Sequence, residues 1–343
     1  MKALWIESAG VVHFGELPDP VPQPGWVKLK ILASSVCGSD LGVYRFGRSY
    51  PVEKRVSGHE FVGVIEETGN RDSKWKTGQR VCVLPQIYCH ACGDCEEGHY
   101  NTCANRKYIG GRDYNGGFAE YAVVPEECLL AVPDSISDIA AAMTEPFAVS
   151  LHAVHQAGGT LLKGKSLAIY GAGPIGLFAM EAAKYYGVRE IILLDLVPER
   201  LEIAKAHGAP ETILANVSQE EIVKRVFERT GGRGVDAVID AVCIDPTIDN
   251  DLHFCKPHGK IVIVSIPKKK CTLDFLYAVR NEIDVVGSYT YTTEMEDCLK
   301  ILGSGTVSVE YIADPVVPLS RGAETFKLLS EKPNECLKAV FIP

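Results

Sequence analysis

Apolar and polar residues alternate with period two through much of the first 130 residues. Positions 27–31, Val-Lys-Leu-Lys-Ile, alternate cleanly, and part of 61–66 does the same. Positions 78–85 read as a turn leading into a strand, and 118–124 as another strand. Period two places successive side chains on opposite faces of a sheet. With Gly and Pro between the segments, the pattern predicts an all-β region, a small barrel or partly open sandwich.

The pattern changes near residue 138. Positions 139–143 and 148–156 read as helices, ended by Gly158-Gly159. Beyond them, short buried-type strands alternate with helical periodicity. Strands are expected at 166–170, 191–195, 235–240, 260–265 and 283–286. Helices are expected from Pro174 to about Gly187, at 198–207 and at 220–229. This βαβ rhythm predicts a doubly wound parallel sheet covered by helices. The tail from about 290 is mixed and ends in a strand at 337–342. Lys268-Lys269-Lys270 reads as an exposed loop.

At 343 residues the chain exceeds one ordinary core, so two domains are expected. A net charge of −9 argues against nucleic acid or an anionic membrane as partner. No apolar run is long enough to span a bilayer, and the amino terminus does not read as a signal peptide. Twelve cysteines without a secretion signal read as thiols and metal ligands, and a cytoplasmic location follows as the expectation.

Two glycine- and cysteine-rich motifs carry chemistry. Gly171-Ala172-Gly173-Pro174-Ile175-Gly176 follows a strand and opens a helix. In that context the glycines permit a tight turn, close approach of a pyrophosphate and helix–strand packing. Asp195 ends the next strand, where a carboxylate can accept hydrogen bonds from ribose hydroxyls and repel a 2′-phosphate. That favours NAD, with Arg200 nearby working against the discrimination. Cys89, Cys92, Cys95 and Cys103 can wrap one tetrahedral zinc with no position left open, a structural site. An iron–sulfur cluster is the rival reading, but seven residues rather than three precede the fourth Cys and no Pro follows it.

Cys37-Gly38-Ser39-Asp40, Gly58-His59-Glu60 and Glu145-Pro146 are short motifs that gain meaning together. A thiolate, an imidazole and a carboxylate make three ligands and leave a fourth place open. Zinc held that way acts as a Lewis acid toward an alcohol.

With these pieces and Gly116-Gly117-Phe118-Ala119-Glu120-Tyr121, the whole chain resembles the zinc-dependent medium-chain dehydrogenases. Within them it is similar to the polyol branch of sorbitol, threonine and galactitol-1-phosphate type. The resemblance implies a GroES-like β-rich catalytic domain at 1–150 and 290–343, with a structural zinc lobe near 86–106. It implies a Rossmann domain at 151–289, with cofactor and substrate meeting between the two. Gly171, Gly173, Pro174, Ile175, Gly176, Asp195 and Arg200 would bind NAD, and Lys338 matches a basic contact to its pyrophosphate. Cys37 and His59 would bind the catalytic zinc, with Glu60 or Glu145 as third ligand. Ser39 matches the hydroxyl that takes the alcohol proton, and Asp40 the carboxylate that orients the His ligand. A homodimer or homotetramer acting on a polyol, sugar alcohol or cyclitol is implied.

One position departs from the alcohol dehydrogenase pattern. Where those enzymes carry a relay His five residues after the zinc Cys, this chain has Gly42. The departure favours the polyol branch. A phosphorylated polyol is the alternative substrate. Arg45, Arg48, Lys54, Arg55 and Arg112 would suit it, though each reads first as solvated surface charge. A zinc-free reductase of the same superfamily and a non-catalytic protein that kept the fold are the remaining readings. The intact ligand set argues against both.

Overall fold

A computed structural model describes residues 1–50, 53–267 and 269–343. Lys268 lies outside the described residues; Lys269 and Lys270 are exposed. The chain forms two compact units, Met1–Pro146 with Met295–Pro343, and Phe147–Glu294.

The first unit is organised on one long strand, β1 (Trp26–Ser35). Its alternating residues bury Val27, Leu29 and Ile31 in one core with Phe61, Ile65, Val81 and Val124. Strand β2 (Glu60–Thr68) runs antiparallel to it, with Ser35 opposite Glu60 and Ser34 opposite Phe61. The carboxy-terminal strand pairs on the same end of β1, Val340 opposite Ser35. The end of β1 is therefore where Cys37, Glu60 and Lys338 converge. A second core gathers Leu4, Ile6, Phe118, Phe326 and Phe341, which closes the hairpin Lys2–Ser8/Val11–Glu16 over the unit. A large apolar side chain buried this way contributes about 1.5–3 kcal/mol.

The second unit is a six-stranded sheet, parallel throughout. Its strands in chain order are β3 (Ser166–Tyr170), β4 (Glu190–Asp195), β5 (Glu211–Leu214), β6 (Val235–Asp240), β7 (Cys255–Ile263) and β8 (Asp284–Gly287). Across the sheet they lie β5-β4-β3-β6-β7-β8. That is the doubly wound order with a reversal between β3 and β6, the point where such sheets bind ligands. The carboxyl end of β3 leads directly into the glycine turn. The strands are apolar through their centres because helices cover them, and Ile192, Leu194, Val238 and Ile261 are buried with Ile222, Val226 and Leu252.

Several elements differ from the sequence pattern. The hairpin Lys2–Ser8/Val11–Glu16 has no turn signal beyond Ala9-Gly10. Strand β5 is only four residues long. Helix α1 (Gly38–Phe46) forms although Gly38 and Gly42 are weak helix formers, because its amino terminus is capped on both sides. A helix at Asp245–Phe254 starts on Asp245-Pro246, a start signal that the polar residues after it obscure.

Candidate metal and cofactor centres

The four cysteines of the lobe come together as the spacing predicts. Their sulfur atoms all lie within 4.8 Å of one another. Cys89 Sγ is 3.5 Å from Cys103 Sγ and 4.0 Å from Cys95 Sγ. Four sulfurs about 2.3 Å from one tetrahedral zinc would sit roughly 3.8 Å apart, so the cradle fits the ion. The Ala91 amide is hydrogen-bonded to the Cys89 sulfur and holds that thiol down at about 6. Burial pushes Cys95 within the lobe up to about 12, as it does the core thiols Cys82, Cys128 and Cys255.

The second cluster is built at the end of β1. Cys37 is the N-cap of α1; its sulfur accepts from the Ser39 amide at 3.5 Å, and Asp40 Oδ2 accepts from the Cys37 amide at 3.0 Å. Donor atoms of Cys37, His59 and Glu60 lie within 4.8 Å of one another, a reach that suits a single ion. Burial alone would lower the His59 pKa. The Cys37 sulfur, Asp40 and Glu145 reverse this and hold it well above the usual imidazole value. The pocket is thus strongly anionic and prepared for a cation. Glu145, buried at the start of α2 (Thr144–Ala157), acts on both His59 and Lys338. Ser39 is exposed beside the cluster.

Asp40 was expected to orient His59. Its Oδ2 accepts from the Cys37 amide, because a side chain at the third helical position folds back over the helix start, and its charge also acts on His59. Lys338 was expected at the cofactor pyrophosphate. It is buried, with Nζ 2.7 Å from Glu60 Oε2 and 3.1 Å from the Val36 carbonyl, so it is the counter-ion of Glu60. Sequence reasoning missed Ser35, whose hydroxyl donates to the Glu60 carboxylate. No local motif could reveal that contact, since it joins positions 25 residues apart.

The glycine turn joins β3 to helix α3 (Pro174–Tyr185). Gly171 has φ +97°, in the left-handed region that favours glycine. A Cβ on Gly176 would lie 1.7 Å from the Gly171 carbonyl oxygen, so no side chain fits there. Gly173 caps α3 without a side chain, and the nearest neighbour of an added Cβ would be Arg200 at 3.7 Å. The amino end of α3 is left as a bare backbone cradle of the kind a pyrophosphate fills. Asp195 ends β4; its carboxylate accepts from Ala172 N at 2.6 Å and Val197 N at 2.8 Å, with Arg200 Nη1 4.0 Å away.

Residues 23–134 match the model of the alcohol dehydrogenase GroES-like domain, and 174–304 that of the zinc-binding dehydrogenases. Sorbitol dehydrogenase of Bacillus subtilis is 33% identical over 100% of this chain and 97% of its own. This chain belongs to the zinc-binding alcohol dehydrogenases. A zinc-binding dehydrogenase of Sinorhizobium meliloti, solved with NADP bound, superposes at TM-score 0.92 with 25% identity, covering 100% of this chain and 99% of its own. Galactitol-1-phosphate dehydrogenase from Escherichia coli superposes at 0.91 with 28% identity over 100% of both chains. As a zinc-binding dehydrogenase the chain is an oxidoreductase acting on CH–OH groups, with zinc and a nicotinamide dinucleotide as cofactors. Its catalytic unit is GroES-like, and the parallel sheet is the Rossmann unit. Among the described residues no helix is long and apolar enough to cross a membrane.

Proposed function

We propose that the enzyme oxidises a secondary alcohol of a polyol, sugar alcohol or cyclitol reversibly, with NAD as acceptor. The observation that carries this reading is the Cys37–His59–Glu60 donor set beside the exposed hydroxyl of Ser39. A carboxylate in the ligand set and Gly42 in place of a relay imidazole support a polyol over a simple alcohol.

Cys37, His59 and Glu60 would hold the catalytic zinc, with Glu145 the alternative carboxylate; the four lobe cysteines would hold the structural one. Bound there, zinc supplies a Lewis acid that stabilises negative charge developing on the carbinol oxygen. Bound at the glycine turn, the nicotinamide cofactor supplies the hydride acceptor. The chain's own groups do the rest. Ser39 takes the hydroxyl proton and, with Gly42 offering no relay, passes it to solvent. Asp40 fixes the Cys37 backbone and so the position of the sulfur. Lys338 and Ser35 hold the Glu60 carboxylate in place.

Preference for NAD rests on Asp195, whose carboxylate stands at the end of β4 beside the glycine turn. Assembly as a homo-oligomer is supported by strand β8. It is an edge strand of the sheet with Val285 exposed, next to exposed Phe275, Leu276 and Val279. A second copy pairing along β8 would cover them, and light scattering would report the dimer. Twelve cysteines read as thiols and metal ligands support a reducing, cytoplasmic setting. Turnover of a polyol panel before and after chelation tests the reading. Loss of activity on metal removal and its return with zinc are expected; full activity in the stripped protein would contradict it.

A further inference from the structure

A pair of arginines lies in the segment that leads from α1 to His59. Arg48 follows Gly47, the C-cap of α1, and Arg55 lies four positions before His59. Arg48 Nη2 donates to Ser57 Oγ at 2.8 Å and to the Arg55 carbonyl at 3.3 Å, while Nη1 donates to the Tyr50 hydroxyl at 3.2 Å. These bonds clamp the guanidinium onto the segment that carries His59. Its Nε is buried without an acceptor.

Arg55 is less satisfied still. Its side chain is half-buried, and among the described residues its guanidinium donates no hydrogen bond. No carboxylate among the described residues lies within 4.0 Å of either guanidinium, by the same measure that finds Lys338 on Glu60. Burial, then the Arg48 charge, push the Arg55 pKa down, so the two cations stand close enough to repel. Asp113 acts on Arg55 through space but is committed elsewhere, to Tyr108 N at 2.9 Å and Arg112 Nε at 3.2 Å.

Two neighbouring guanidiniums with buried, unmet donors are costly unless an anion completes them. Guanidinium forks match the oxygens of phosphate and carboxylate. The position is also right for a substrate. Ser57, which Arg48 grips, is two residues from His59, so their Cα atoms are at most about 7 Å apart. A sugar alcohol with its carbinol at the metal can reach the arginines with its other end.

We propose that Arg48 and Arg55 bind an oxyanion, phosphate or carboxylate, at the end of the substrate remote from the carbinol. The enzyme then prefers acidic sugar alcohols to neutral ones. This rests on the Cys37–His59 cluster being the reaction centre.

The test compares hexitols, hexitol phosphates and aldonates in the wild type, Arg55→Gln and Arg55→Lys. The wild type is expected to favour one acidic class over the neutral hexitol by about tenfold or more in kcat/KM, and the better arm identifies the anion. Arg55→Gln should raise KM for that class about 10- to 100-fold with kcat little changed, and Arg55→Lys should recover part of the loss. Inorganic phosphate should bind the wild type calorimetrically, and Arg55→Gln more weakly. Equal or better turnover of the neutral hexitol overturns the inference and leaves the polyol reading standing. So does a loss in Arg55→Gln that is the same for neutral and acidic substrates. No turnover of any of the three classes by zinc-loaded protein would sink the polyol reading itself. In that case absence of phosphate binding overturns the anion site as well, and binding that Arg55→Gln loses upholds it.

Discussion

Lys338 and Glu60 form an ion pair at 2.7 Å with both side chains buried, inside the cluster assigned to the catalytic metal. The pair explains how a carboxylate is kept in a pocket that already holds Cys37, Asp40 and Glu145. Without a cation each added carboxylate would repel the others. Lys338 supplies one positive charge from the last strand, and zinc would supply the rest.

Replacing Lys338 should therefore matter most when metal is absent. Lys338→Met leaves Glu60 buried without its counter-ion, a loss of about 3–5 kcal/mol in metal-free protein. Zinc would restore part of the missing charge, so the loss should shrink on loading. Denaturant unfolding with and without zinc measures both. An identical loss in the two forms would remove Glu60 from the metal's surroundings.

The two cysteine sites should respond differently to the same substitution. Cys37→Ser is expected to abolish turnover, at least a thousandfold by analogy with loss of an essential catalytic group, while the melting temperature stays close to wild type. Cys92→Ser opens the closed four-sulfur cradle and should lower stability by several kcal/mol. Thermal unfolding of both proteins decides. Equal destabilisation would dissolve the division into one catalytic and one structural centre.

How far these sites could be read from sequence depended on whether their logic was local. The cysteine lobe and the glycine turn are local: their spacing alone predicts four gathered sulfurs and a turn without side chains, and both formed. The six-stranded sheet was nearly all legible because buried parallel strands are continuous apolar runs; β5, which opens on Glu211 and Thr212, was missed. The Cys37–His59–Glu60 cluster was legible as residue types but not as partnerships. Asp40 bonds to the Cys37 amide because of helix capping that no alternation pattern announces. Lys338 meets Glu60 across 278 positions, a consequence of β1 receiving the last strand at the end where β2 begins.

Acid should weaken the second unit through Glu294. Burial would raise the pKa of this carboxyl, but His152 at 2.8 Å and His155 at 3.2 Å, with the Thr292 amide, hold it well below its ordinary value of 4.5. A depressed folded-state pKa gives stability that is present above 4.5 and is lost as pH falls below it. Glu294→Gln should cost about 2 kcal/mol at neutral pH and flatten the acid limb of the stability curve. Unfolding free energies between neutral and acid pH check this; an acid limb as steep as wild type in the variant would contradict it.

Cofactor choice should turn on Asp195. Asp195→Ala removes the carboxylate that would repel a 2′-phosphate and keeps the Arg200 charge, 4.0 Å from that carboxylate in the wild type. The ratio of kcat/KM for NAD to that for NADP should fall by about tenfold or more. An unchanged ratio would assign cofactor discrimination to other residues.

Zinc content per chain tests the account most directly. The wild type should carry about two zinc ions and Cys37→Ser about one, the remaining ion held by the four lobe cysteines. About one zinc in the wild type, unchanged in Cys37→Ser, would mean that the Cys37–His59–Glu60 cluster binds no metal, and the proposed reaction would lose its centre.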